Sequence, residues 1–145
     1  MGDINISVTV VDNSDLVRKA LPEDIDRALY AMGIKGVEGS VDAISGKYNI
    51  NSAVDTGRLR ASISFITASG DKGDSGLVVP NSKAGDKLLG HAEENTVIIG
   101  TNVNYAEYVH NGTSRMLGRP FLREGIDQTK ADMKRQVEKI LKGEL

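Results

Sequence analysis

The chain has no cysteine, no tryptophan and only three prolines, and its aromatic residues are four Tyr and two Phe among 145 positions. Without cysteine there can be no disulfide scaffold, no thiol nucleophile and no cysteine zinc site, a usage compatible with a reducing cytosol. With so few aromatics, the core has to be built from Val, Ile, Leu, Ala and Met. No run of about 18 apolar residues occurs, so no membrane-spanning helix is expected. Met1-Gly2-Asp3-Ile4 lacks the basic and apolar regions of a signal peptide, so secretion by that route is not expected either. Neither charge sign dominates: 18 Lys+Arg against 20 Asp+Glu leave a net charge of −2. That balance excludes a protein that grips nucleic acid with its whole surface.

What is present suits one globular domain over residues 1–145. Apolar residues make up 39% and charged residues 26% of the chain, unlike a disordered composition. A chain of this length buries about 70% of its unfolded surface and needs no covalent or metal staple. Sixteen glycines against three prolines predict flexible turns rather than rigid linkers.

Ile4, Ile6, Val8 and Val10 alternate with polar residues at the period of a half-buried strand. Asp12-Asn13-Ser14-Asp15 supplies turn and cap chemistry, and a helical pattern begins at Leu16. Pro22-Glu23-Asp24 reads as a helix first turn, with proline at the first position and acids at the positive end. Apolar spacing then predicts one long, weak helix over about residues 22–48. Gly33, Gly36 and Gly39 interrupt its pattern at about 1 kcal/mol each, leaving the helix either continuous or broken near Gly36. Asp55-Thr56-Gly57 offers a new N-cap ahead of a helical turn at Arg58–Ala61. Ser62–Thr67 reads as a strand, residues 69–76 as a flexible polar loop, Leu77–Val79 as a brief strand ended by Pro80, and Thr96–Thr101 as the clearest strand. With the aperiodic stretch up to Asn95, residues 69–95 are expected to be flexible. Tyr105–His110 reads as a short helix closed by Gly112 in a left-handed conformation. A final helix follows Pro120, with Leu122, Ile126, Met133, Val137, Ile140 and Leu141 near a 3.6-residue period and acids preceding bases along it. The expected fold is α+β: a small, mostly antiparallel sheet, a long N-terminal helical region, and a C-terminal helix packed on it.

The motifs of catalysis fail in turn. No Gly-x-Gly-x-x-Gly and no Gly-x4-Gly-Lys-Ser/Thr provides a phosphate cradle. Gly70–Gly76 lacks the acid spacing and terminal Glu of a calcium loop. His91 and His110 lack a His-Glu-x-x-His helix, and both are expected to sit solvated rather than to hold metal. Ser114 near His110 is a nucleophile–base pair only on paper, without a Gly-x-Ser-x-Gly elbow or an orienting acid; it leaves a small hydrolase as a weak option. Arg58, Arg60, Arg115, Arg119 and Arg123 gather around two loops and read either as an interface or phosphate contact, or as ordinary solvated surface. Arg115 and Arg119 flank Met116-Leu117-Gly118, an apolar tip that suits a subunit contact if exposed and the core if folded back.

Val54-Asp55-Thr56-Gly57-Arg58-Leu59-Arg60-Ala61-Ser62-Ile63 resembles a motif of the small neck proteins of long-tailed bacteriophages and prophages, called head–tail joining, tail-completion or minor tail proteins. Gly100-Thr101 with Tyr105-Ala106-Glu107-Tyr108-Val109-His110-Asn111-Gly112-Thr113 resembles that family's second motif, and Arg119-Pro120-Phe121-Leu122 the start of its last helix. The three occur in family order over roughly half of the chain. Ala53 stands where the family often has Pro, and His110 where it often has Glu, so no salt bridge from that acid is carried over.

The resemblance implies a structural protein, with no enzyme activity, cofactor or metal. Its copies would form a ring, six-fold in the virion, at the head–tail junction between connector (portal-side) and tail proteins, after synthesis in the host cytoplasm. No membrane is involved, and nucleic acid is met only incidentally. Asp55, Thr56, Gly57, Arg58, Leu59, Arg60, Tyr105, Tyr108, Gly112, Thr113, Arg115, Met116, Leu117, Arg119, Pro120 and Phe121 are the residues expected to build the loops that meet neighbouring subunits. The alternative drawn from the residues themselves is a nucleic-acid-binding accessory protein using the five arginines.

Overall fold

The computed structural model describes residues 4–9, 20–47 and 57–143, the first of these segments by its backbone alone. The Asp12–Asp15 turn, the helical start at Leu16, Tyr48, and Ala53 to Thr56 of the first motif lie outside the described residues. In chain order the elements are β1 (Ile4–Thr9), α1 (Pro22–Ile44), α2 (Arg58–Ser62), β2 (Ser64–Thr67), β3 (Lys72–Asp74), β4 (Thr96–Thr101), α3 (Ala106–Asn111) and α4 (Phe121–Leu141). The strands form one sheet in the order β1-β4-β2-β3, every neighbouring pair antiparallel. The fold is α+β.

Proline at the start of α1 and the acids Glu23 and Asp24 in its first turn begin the helix as the sequence suggests. The helix ends at Ile44, four residues short of the expectation, and it does not break at its glycines. Gly33, Gly36 and Gly39 are buried, and each is small for a reason of contact. A Cβ on Gly33 would enter the Phe65 ring of β2, one on Gly36 would collide with Ile99 of β4, and one on Gly39 would lie 2.6 Å from Thr129 Cγ2 of α4. Gly125 answers from α4, where a Cβ would meet Ser40 Cα at 2.5 Å. The glycines therefore let α1 settle on the sheet and α4 settle on α1. Close backbone approach offsets their poor helix propensity. The close approaches of Gly39 to Gly125 and of Gly36 to Met133, with Ile34 and Ile140 lining one groove, show that α1 and α4 run antiparallel.

Phe65 sits between Gly33 and Gly73, with the Tyr30 ring edge-on at 5.1 Å. Gly73 belongs to β3, a three-residue strand inside the stretch read from sequence as loop only. Leu77–Val79 forms no strand. Ser62 and Ile63 close α2 rather than opening β2. β2 is buried on both faces, because the segment after Asp86 lies against it: the Leu88 amide donates to Ser64 Oγ at 3.0 Å and the Ala92 amide to the Thr67 carbonyl at 3.1 Å. Phe121, Leu122, Ile126 and Met133 of α4 join Leu29, Phe65, Val97 and Ile99 in the core. Pro120 precedes α4 as its N-cap.

Candidate functional site

Gly57 caps α2 in a left-handed conformation (φ +84°), and its carbonyl accepts from the Ala61 amide at 2.9 Å. This turn aims Arg58 at Asp86, 28 residues further along. Arg58 Nε and Nη2 donate to the two carboxylate oxygens of Asp86 at 3.0 and 2.8 Å, with side-chain exposures of 17% and 8%. The fork matches the carboxylate on both oxygens, the geometry for which guanidinium is suited. The Arg58 hydrogen bond holds the Asp86 carboxyl below the usual carboxylate range, against the opposing effect of burial. The Lys83 amide donates to the same carboxylate, and the Asp86 carbonyl accepts from the Asn102 amide at 2.8 Å just beyond β4. Arg58 also stands over the Tyr105 ring, 5.7 Å from its centre. One side chain of the first motif thus ties the 83–86 turn to the second motif.

Leu59 is buried in the core, and Arg60 donates to Ser45 Oγ at 3.3 Å while its Nε is buried without a partner. In the second motif, Tyr105 caps α3 and packs against the core, whereas Tyr108 points outward. His110 is buried, not solvated as expected. It shares the inner face of α3 with Ala106, four residues earlier, and meets the Phe121 ring edge-to-face at 5.3 Å. Its Nδ1 lies 3.0 Å from Asn111 Oδ1, and its Nε2 has no partner. Burial pushes the imidazole below its ordinary value, and the nearby Arg123 charge acts in the same direction. No hydrogen bond joins His110 to the exposed Ser114 among the described residues. His91 is exposed as expected.

The turn between α3 and α4 is closed by backbone. Thr113 and Met116 bond to each other in both directions, at 2.8 and 3.3 Å, and the Arg119 amide donates to the Val109 carbonyl at 2.8 Å. Gly112 has positive φ as expected, but with φ +82° and ψ 175° it lies outside the left-handed helical region, in a part of the map reserved for glycine. A Cβ there would lie 2.5 Å from the Gly118 nitrogen and 2.8 Å from the Met116 carbonyl oxygen. The closed turn presents Leu117 at 82% exposure, with Met116 half-buried beneath it. Arg115 and Arg123 are exposed and Arg119 is half-exposed, and none of the three pairs with a carboxylate among the described residues.

The five arginines are therefore not one cluster. Arg58 is spent internally on Asp86, Arg60 lies against the end of α1, and only Arg115, Arg119 and Arg123 surround the tip. Asp86 was missed because it sits in an aperiodic stretch; the only available signal was an arginine in a motif turn needing a carboxylate. Two further surfaces carry exposed apolar side chains. One is a shallow groove of about 340 Å³ between α1 and the end of α4, lined by Tyr30, Ala31, Ile34 and Ile140. The other, about 320 Å³, lies under Leu77, Val78 and Leu89. Among the described residues no group of three metal-ligating side chains occurs, and no helix is long and apolar enough to cross a membrane. Comparison with protein-family models, with curated proteins and with solved structures gives no match.

Proposed function

We propose that this chain is a structural protein of a long-tailed phage or prophage, and that its copies form a ring at the head–tail junction that joins or completes the tail. The observation that carries the reading is the convergence of the three motif segments. Arg58 of the first reaches Tyr105 of the second, and Val109 and His110 of the second hold Arg119 and Phe121 of the third. These contacts bring the three segments together beside one turn closed by its own backbone. Its outer surface is Leu117 with arginines beside it, the composition of a subunit contact rather than of a catalytic cleft.

Deleting the coding segment from a particle-producing system tests the reading. Filled heads and separate tails should accumulate, and the full-length chain supplied in trans should restore joined particles. Infectious, fully joined particles in its absence would overturn the proposal. Arg115, Arg119 and Arg123, which meet no carboxylate among the described residues, support nucleic-acid contact as a second reading, which requires an affinity that falls steeply as salt rises.

A further inference from the structure

The tip and the α1–α4 groove have complementary surfaces. The tip offers one protruding Leu and the cations Arg115, Arg119 and Arg123, with no acidic residue between positions 112 and 123. The groove has an apolar floor of Ala31 and Ile140, with Tyr30 and Ile34 at 40% and 42% exposure. The carboxylates Asp26 and Asp71 stand on its wall, and neither has a cation partner among the described residues. Arg27, also on the wall, is paired with Asp24 at 3.4 Å. Lys139 and Lys142 flank Ile140 in sequence but do not line the groove.

A single copy cannot satisfy both surfaces by itself. The tip immediately precedes Phe121 at the start of α4, while Ile140 is near the helix end, about 30 Å away at 1.5 Å per residue. Two different patches at opposite ends of one molecule make a head-to-tail contact, and such a contact closes into a ring or propagates. A two-fold dimer would need one self-complementary patch instead. Opposite charge at the two patches orients the approach, and a tip-to-tip contact would set arginines against arginines.

We propose that the contact between neighbouring copies is the α3–α4 tip of one seated in the α1–α4 groove of the next. Leu117 lies between Tyr30 and Ile34, and Arg115 and Arg119 face Asp26 and Asp71. This rests on the ring reading and names the surfaces that make the ring.

The absence of cysteine makes the test clean. Full-length Leu117→Cys chain is mixed with Ile34→Cys chain, oxidised mildly, and run on a non-reducing gel. The mixed disulfide should dominate both same-site products, and a chain carrying both substitutions should give a ladder of covalent oligomers. Arg115→Glu with Arg119→Glu on the Leu117→Cys chain should abolish the mixed product. Asp26→Lys with Asp71→Lys on the Ile34→Cys chain should restore it. Same-site disulfides alone, no product at any protein concentration, or a product indifferent to charge reversal would overturn the inference. Particles that carry the chain at the neck but yield no 34–117 product refute this contact and leave the ring reading standing. A 34–117 product in the purified chain, beside particles that lack the chain, does the reverse.

Discussion

Gly125→Ala reverses the usual sign of a helix substitution. In an exposed helix interior this change stabilises by about 1 kcal/mol, through backbone entropy and propensity. Here the new methyl would press on Ser40 Cα at 2.5 Å and on the Gly39 backbone, so α1 as a whole must move away. Overpacking a close-packed interior costs about 1–3 kcal/mol, and a backbone obstacle puts this site at the upper end, leaving a net loss of about 2 kcal/mol. At about 2.1 cal/mol/K per residue, the unfolding entropy of the domain is about 0.3 kcal/mol/K, so the midpoint should fall by about 7 °C. Ala131→Gly, exposed on the same helix, serves as the control and should lose about 1 kcal/mol by propensity alone. Thermal and urea unfolding of the two variants beside the parent measure both. A Gly125→Ala chain as stable as the parent, or more so, would show that α1 and α4 do not meet at these glycines.

Other expectations follow from single contacts. Because burial lowers the His110 pKa in the folded state, the unfolded chain binds a proton first as pH falls; stability should hold above about pH 6.5 and decline below it. His110→Leu should flatten that decline in midpoint-against-pH curves, and an unchanged slope would contradict the assignment. Asp86→Ala strands a largely buried guanidinium and should cost about 3 kcal/mol, with faster proteolysis between residues 77 and 92; unaltered cleavage would show that the Arg58 pair does not anchor this segment. Gly112→Val should lower the melting midpoint by about 3–10 °C, from a backbone cost of about 1–3 kcal/mol. Leu117→Asp should change the free protein's stability by under about 0.5 kcal/mol yet abolish assembly; a large loss of stability, or normal assembly, would count against an exposed contact residue.

The sequence made some elements legible because several signals agreed on them. In α4, apolar period, charge order and a preceding proline all point one way, and β4 is a dense run of β-branched residues. β3 could not be read, since Lys72-Gly73-Asp74 has no β-forming residue. Its place depends on Gly73 leaving room for the Phe65 ring. The α1 glycines looked like interruptions because their partners, Phe65, Ile99 and Gly125, lie far along the chain, and propensity carries no information about distant contacts. His110 looked solvated because a six-residue helix is too short to display a period. Within the candidate site, the motif turns were legible from sequence, whereas whether Leu117 faces solvent or the core was decided only by the fold. The Arg58–Asp86 pair was not, because nothing local marks which of many carboxylates a given arginine will meet.

Electron microscopy of intact particles assembled with a C-terminally labelled copy of this chain tests the neck assignment most directly. The account predicts label in a closed ring around the axis between connector and tail, in every joined particle. Label on the capsid shell or the tail tip, or joined particles with none, would contradict it.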